Sequence, residues 1–185
     1  MKLSKSSKLW LLGFVRENIT RSLVDVEQRF SLDSAPDELD IRAGAFVSLH
    51  KNGRLRGCIG TFDSSVSVLT VCENMSIQAA FGDPRFPKMT AEELEGLEIE
   101  ISVLSSLSPI KPADVVIGVH GLKVSKDGRS GVLLPQVALE WGWNRQEFLD
   151  ATCQKAGLPR NSWESGGRLE AFSAEVFSES GLRDQ

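Results

Sequence analysis

Hydrophobic and polar residues recur along the chain with two periods, one typical of helices and one typical of strands. In residues 12–30 apolar side chains return every three or four positions, which predicts an amphipathic surface helix. These positions are Leu12, Val15, Ile19, Leu23, Val26 and Phe30. Residues 97–103 instead alternate between aliphatic and polar side chains, which predicts a strand with one buried face.

Turn and capping signals divide the rest of the chain. Asn52-Gly53 predicts a β-hairpin within residues 44–62, and the turn at 126–128 predicts another within 115–135. A helix is expected from a Ser or Asp cap at 63–65 to Gly82. Residues 168–179 read as one final alternating strand.

Two short helices are expected in the second half of the chain. Pro135 opens the first, and Asn144 with Glu147 forms a capping box that opens the second. Hairpins mixed with helices, and few strand–helix–strand units, predict an α+β fold around a largely antiparallel sheet. The helix and strand signals cover 1–185 as a single domain, with room for a larger and a smaller lobe.

Composition narrows the function classes. With 41% hydrophobic residues, 25% charged residues and a net charge of −4, the chain is typical of globular proteins. A pI of about 5.3 argues against a nucleic-acid partner, although Lys51, Arg54, Arg56 and Arg85 offer local positive charge. No apolar run approaches the roughly 18 residues of a membrane span, and the run 9–15 ends at charges without a signal cleavage site. We therefore expect a soluble cytoplasmic protein.

Cysteine and histidine usage argues against a metal or another cofactor. Cys58, Cys72 and Cys153 match no zinc spacing, and their odd number indicates a reducing compartment. The two histidines, His50 and His120, show no metal-ligand spacing. No phosphate-binding or dinucleotide-binding glycine loop is present.

The most unusual stretch is KNGRLRGCIGTF, residues 51–62, where glycines flank a cysteine. A two-residue loop at Asn52-Gly53 predicts Cys58 opposite Val47, Leu49 opposite Arg56 and Ala45 opposite Gly60. In this register Arg54, Arg56 and Cys58 share one face. The expected core face carries Phe46, Leu55 and Ile59.

Two interpretations of Cys58 remain open. It is either a small buried residue where glycines admit another backbone, or part of a binding site. In the second case Gly57 and Gly60 leave space for a ligand, and Arg56 supplies positive charge for an anion. Burial would make the thiol inert, whereas a neighbouring guanidinium would favour the reactive thiolate.

Other candidates lie on loops. Asp83 and Arg85 belong to the stiff segment FGDPRFP, which suits a cleft rim. His120 follows Gly118 and precedes Gly121, an arrangement typical of a bulge that redirects a side chain. The carboxylates of Glu92, Glu93 and Glu95 are expected on the solvated face of a short helix.

Several motifs together resemble the AMMECR domain family, whose prokaryotic members are called AmmeMemoRadiSam system protein A. They are LRGCIGTF at Leu55–Phe62, then DPRFPKMTAEEL, LEIEISVLS, HGL, GVLLPQVALEWGW and AGLP. The resemblance covers nearly the whole chain, and RGCIG, residues 56–60, is highly specific to the family. It implies an α+β fold with two lobes, a cleft near 55–62, and association with a radical-SAM protein and a Memo-type protein. It assigns no catalytic role to these residues.

Two functional hypotheses follow for the RGCIG segment. In the first, the protein is a non-catalytic accessory that binds a small anion, a peptide or a partner protein beside Arg56-Gly57-Cys58. In the second, it is an enzyme that uses Cys58 as nucleophile or redox thiol, assisted by Arg56 and by Asp83 or His120.

Overall fold

The computed structural model describes residues 2–24 and 35–183, and the chain forms two compact units. Unit 1 comprises residues 1–104 and 175–185, and unit 2 comprises residues 105–174. Within the described residues the fold is α+β, as predicted, and its antiparallel strands form two sheets, accompanied by five α-helices. In these same residues no helix combines the length and the apolar character needed to cross a bilayer.

Unit 1 is a four-stranded sheet with helices against one face. Its strands are β1 (Ala45–Lys51), β2 (Arg54–Thr61), β3 (Leu97–Leu104) and β8 (Ala174–Ser178), in the order β2-β1-β3-β8. Its helices are α1 (Lys5–Leu23), α2 (Val68–Phe81) and the short α5 (Glu179–Arg183). Among the residues that the structure describes, strand β2 is therefore an edge strand, paired only with β1.

The core of unit 1 lies between its helices and the alternate aliphatic residues of the strands. Val47, Leu49, Ile99 and Ile101 are fully buried there, together with residues of both long helices. The predicted stripe on α1 is confirmed at Leu12, Val15 and Ile19, which are buried, and at Leu23, which packs against the core. Its last two members, Val26 and Phe30, lie outside the described residues.

Unit 2 is a second four-stranded sheet, with the strand order β4-β7-β5-β6. Its strands are β4 (Ser108–Pro109), β5 (Gly121–Lys126), β6 (Arg129–Leu133) and β7 (Arg168–Phe172), and its helices are α3 (Pro135–Glu140) and α4 (Arg145–Lys155). The predicted capping box is present, since Asn144 accepts from the Glu147 amide and Glu147 accepts from the Asn144 amide. Phe148, Leu149 and Leu122 form the centre of its core.

Two predictions about these elements were wrong. The cap of α2 is Ser67 rather than a residue at 63–65, because its hydroxyl accepts from the amide of Thr70. The single final strand is divided at Ser173 into β7 in one sheet and β8 in the other. Ser105 exchanges two hydrogen bonds with Ser173 at that division, one through its amide and one through its hydroxyl.

Candidate functional site

The hairpin that carries RGCIG turns at Asn52-Gly53 as predicted, but its register changes after two residue pairs. Lys51 faces Arg54 and His50 faces Leu55, and then a β-bulge puts Leu49 opposite Gly57. The expected pairing of Leu49 with Arg56 was therefore wrong. Arg56 is the extra residue of β2, and every later pair shifts by one position.

The shift changes the surroundings of Cys58. Its partner across the hairpin is Ser48 and not Val47, while Gly60 faces Phe46 and not Ala45. Phe46 and Ser48 thus belong to the sheet face of Cys58, and Leu55 is 41% exposed, so neither Phe46 nor Leu55 lies in the core. Only Ile59 of the three expected core residues packs against the core of unit 1.

The glycines on either side of Cys58 are explained by close contacts. A Cβ on Gly57 would lie 2.2 Å from the carbonyl oxygen of Ala79 in α2. A Cβ on Gly60 would lie 2.2 Å from the ring of Phe46 on β1. The last turn of α2 and an aromatic ring therefore occupy the space that a side chain at either position would need.

Asp83 and Arg85 hold the main chain of Cys58 on the free edge of β2. The Cys58 amide donates to Asp83 Oδ2 at 2.9 Å, and Arg85 Nη2 donates to the Cys58 carbonyl at 3.1 Å. The same guanidinium donates to both carboxylate oxygens of Asp83, at 2.9 and 2.6 Å. Two side chains thus replace the strand that would otherwise pair with β2 at this point.

The ion pair beside Cys58 joins one buried group to one exposed group. The Asp83 side chain is 2% exposed, and that of Arg85 is 54% exposed. Hydrogen bonds from Arg85 hold the pKa of Asp83 far below its usual range despite the cost of burial, so the carboxylate is ionised. Arg85 presents its remaining surface to solvent as a cation.

Three hydrogen bonds hold Arg56 within unit 1. Its Nε and Nη2 donate to the two carboxylate oxygens of Glu93 at 2.5 and 2.9 Å, and Nη2 also donates to the Pro87 carbonyl at 2.9 Å. The ring of Phe86 lies 5.8 Å from the guanidinium carbon of Arg56 and 5.5 Å from that of Arg85. The expectation that Glu93 is merely solvated was wrong, because it anchors Arg56 and its pKa is lowered by that contact.

Cys58 is a free thiol of intermediate burial. The hydroxyl of Ser48 donates to its sulfur at 3.2 Å. The other two cysteines are also free but fully buried, and desolvation raises the pKa of Cys72 to about 12. Among the described residues Cys58 is thus the one cysteine that is not buried.

His120 belongs to unit 2, whereas the other candidate residues belong to unit 1. The amide of Val116 donates to its Nδ1 at 3.1 Å, so the neutral ring carries its proton on Nε2. The imidazole lines a cavity of about 240 Å³ together with serines such as Ser108 and Ser173. The roles of His120 and of the unit 1 residues in binding remain predictions.

Sequence reasoning missed three residues at this site. Ser48 contacts the thiol, and Glu100 pairs with Ser48 on the neighbouring strand, so thiol, hydroxyl and carboxylate form one row across the sheet. Glu93 holds Arg56 from 37 positions away. The alternation read from the sequence did not mark the bulge that creates this row.

No metal centre is found in the part of the chain that the structure describes. There, no three or more His, Cys, Asp or Glu side chains are grouped so as to hold an ion. The charged groups around Cys58 are paired with each other, and their chemistry is that of a rigid polar surface.

Comparison with known proteins confirms the resemblance seen in the motifs. A protein of Methanothermobacter thermautotrophicus is 43% identical over 157 residues, which cover 80% of this chain and 82% of the relative. A Methanococcoides burtonii protein is 36% identical and covers 96% of this chain and 91% of its own. The crystal structure of the uncharacterised protein PH0010 from Pyrococcus horikoshii has a TM-score of 0.88 and 34% identity, covering 99% of this chain and 96% of that one. Since the AMMECR1 family model also matches residues 12–177, the chain belongs to the AMMECR1 family.

Proposed function

We propose that the protein is a non-catalytic accessory protein that binds a partner protein through the surface around Cys58. This Cys58 surface consists of Cys58, Ser48 and Arg85. The observation that carries the proposal is the clamping of both main-chain groups of Cys58 by Asp83 and Arg85, while the residue itself is only partly buried. A surface fixed before binding loses little conformational entropy when a partner arrives.

The charges of unit 1 support Arg85, rather than Arg56, as the cation offered to a partner. Arg56 is 9% exposed and already donates to a carboxylate and a carbonyl. Arg85 is more than half exposed and holds the backbone of Cys58. An acidic or carbonyl-bearing segment of a partner would therefore meet Arg85 next to a polarisable sulfur.

The family resemblance supplies the partners to test, namely a radical-SAM protein and a Memo-type protein. We place this function in the cytoplasm, which the free state of all three cysteines supports. The acidic net charge of −4 supports a protein partner over a nucleic acid.

A second candidate function is a cysteine-dependent enzyme, favoured by the hydrogen bond from Ser48 to the Cys58 sulfur. A donor to sulfur stabilises the thiolate, which is the nucleophilic form. Such an enzyme also needs a base that removes the thiol proton. The only side-chain partner of the sulfur in the described residues is the Ser48 hydroxyl, which is not a base, so we rank binding above catalysis.

Alkylation of the native protein tests the accessibility on which both candidates depend. With iodoacetamide at neutral pH, we expect one modified thiol in the folded protein and three after denaturation, because two cysteines are buried. Peptide mass mapping should place the native modification on Cys58, and Cys58→Ser should show none. Modification of Cys72 or Cys153 before Cys58 would contradict the proposal.

The binding role is tested with the same thiol as an attachment point for a bulky group. Purified radical-SAM and Memo-type proteins are titrated against untreated protein and against protein alkylated with N-ethylmaleimide. We expect the adduct to weaken binding of one partner at least about tenfold, since it fills the centre of the interface. Cys58→Ser treated in the same way is the matched control and should bind as the untreated protein does. Equal binding by the Cys58 adduct would refute the site.

A further inference from the structure

Unit 1 contains a second concave site, which none of the candidate residues lines. Its volume is about 650 Å³, within the range of small-molecule sites. It lies between α1, the start of β3 with the turn before it, and α5, and we call it the α1–α5 cavity. One wall is apolar and is formed by Leu9, Leu12, Leu94 and Leu97.

The apolar wall extends from the core to the surface. Leu12 and Leu97 are buried members of the core of unit 1, whereas Leu9 is 46% exposed. Leu9, Gly13 and Arg16 stand at steps of four and three along α1, so they share one side of the helix. This side faces the cavity, and Leu9 keeps a large apolar surface in contact with solvent when the cavity is empty.

Gly13 removes a side chain from the middle of this wall. It lies inside a 19-residue helix, where glycine costs about 0.5–1 kcal/mol relative to alanine. A Cβ placed there would meet no heavy atom within 4 Å, so packing does not require the glycine. Its effect is to keep the space above α1 open.

The charged side chains of the cavity are held rigidly. Arg16 donates through Nε and Nη2 to both carboxylate oxygens of Glu179, at 2.6 Å each, and through Nη2 to the Leu97 carbonyl. Glu179 also accepts from the amide of Ile99 at 3.0 Å. These bonds tie α1, β3 and α5 together and fix the Arg16 guanidinium at the cavity.

Most of the unused hydrogen-bonding capacity of the cavity consists of donors. Among the described residues no acceptor is found for Nη1 of Arg16 or Nη1 of Arg183. Arg183 donates through Nε to the Glu179 carbonyl at 3.2 Å, and its Nη2 lies 3.7 Å from Glu98. The Glu179 carboxylate already accepts from Arg16 and the Ile99 amide, and Glu98 accepts from the Ser180 amide through one oxygen. A complementary ligand therefore brings a hydrogen-bond acceptor to the guanidinium groups and an apolar body to the leucines.

We propose that the α1–α5 cavity binds a small aliphatic carboxylic acid. Its carboxylate lies against Arg183 and Nη1 of Arg16, and its hydrocarbon chain lies over Gly13 between Leu9 and Leu94. This site is independent of the Cys58 surface and of the function proposed for it.

Octanoate is the probe, and the readout is the chemical shift of backbone amides in the ¹⁵N-labelled full-length protein. We expect saturable shifts at Gly13 and Gly96, which line the cavity. Gly13→Leu should weaken octanoate binding at least about tenfold by filling the space, and Gly13→Ala, which adds only one methyl group, should weaken it less. Arg183→Gln should weaken the binding of octanoate about tenfold, because a charged hydrogen-bond donor is lost. Octylamine, which offers no acceptor, should bind at least about tenfold more weakly than octanoate.

Three results would overturn the proposal. Octanoate that shifts neither Gly13 nor Gly96 excludes the cavity as its site. Equal affinity for octylamine excludes recognition by the arginines, and equal affinity of Gly13→Leu excludes the space above α1. Should Gly13→Leu fail to fold, the amide shifts of the natural protein and the Arg183→Gln titration still decide the question.

Discussion

Replacing Gly57 with alanine should lower the free energy of unfolding by about 3 kcal/mol, because the new methyl group collides with backbone rather than with a movable side chain. The Cβ would lie 2.2 Å from the Ala79 carbonyl oxygen, so α2 and β2 must separate. For a chain of 185 residues this corresponds to a fall in melting temperature of roughly 6–12 °C. Urea unfolding followed by circular dichroism measures the change.

Gly13→Ala is the matched control for Gly57→Ala. It adds the same methyl group within the same unit, but no heavy atom lies within 4 Å of the added carbon. We expect it to raise the free energy of unfolding by about 0.5–1 kcal/mol through helix propensity. Equal effects of the two substitutions would show that α2 does not press on Gly57.

Replacing Asp83 with asparagine should lower the free energy of unfolding by about 2 kcal/mol at neutral pH, since it removes the buried carboxylate that accepts hydrogen bonds from the Cys58 amide and from Arg85. The substitution weakens the clamp on Cys58 and leaves the Arg85 guanidinium without its counter-charge. Glu95→Gln, an exposed carboxylate in the same unit, is the control and should change stability by less than about 0.5 kcal/mol. The measurement is again urea unfolding, repeated across pH.

The pH dependence of this difference follows from the lowered pKa of Asp83. A carboxylate whose pKa is lower in the folded protein than in the unfolded chain contributes its full stability above the unfolded value, near 3.9. The contribution declines as pH falls below that value and is lost only on passing through the folded pKa, which Arg85 holds far lower. The difference in free energy of unfolding between the natural protein and Asp83→Asn should therefore be constant from pH 5 to 8. It should become smaller only below about pH 4. A gap that closes near pH 6 would contradict the assignment to Asp83.

Opening the clamp should also change how Cys58 and β2 behave. Without Asp83 the free edge of β2 exposes an unpaired amide next to a hydrophobic hairpin, which is a template for pairing with another chain. The clamp thus does two things at once, since it closes a sheet edge and fixes the orientation of the thiol. This is the reason why the Cys58 surface can be rigid although it lies on an edge strand.

Local signals were sufficient for most of the fold. Asn52-Gly53 and Asp127-Gly128 adopt positive φ in both hairpin turns, as their residue types favour. Asn144 and Glu147 cap α4, and Gly82 ends α2. These features depend on residues within a few positions of one another, so the sequence contains the information directly.

Local signals were not sufficient to predict the contacts of the candidate site. The sequence singled out Arg56, Cys58, Asp83 and Arg85, but its register placed Cys58 beside an aliphatic residue and left Arg56 free for an anion. In the structure Cys58 instead pairs with Ser48, and Arg56 forms an ion pair with Glu93. The first difference arises from the bulge at Arg56 inside the hairpin, and the second from a contact between residues 37 positions apart.

The sequence by itself determined the α+β class, the two hairpins, the capped helices and the family, because periodicity, turn residues and motifs act locally. Only the tertiary structure decided the bulge at Arg56, the clamp on Cys58 and the division of residues 168–178 between two sheets. The division depends on Ser105 and Ser173, which lie 68 positions apart. Contacts of this kind depend on which surfaces pack against each other in the folded protein. The alternation of buried and exposed residues along a strand does not show to which sheet the strand belongs.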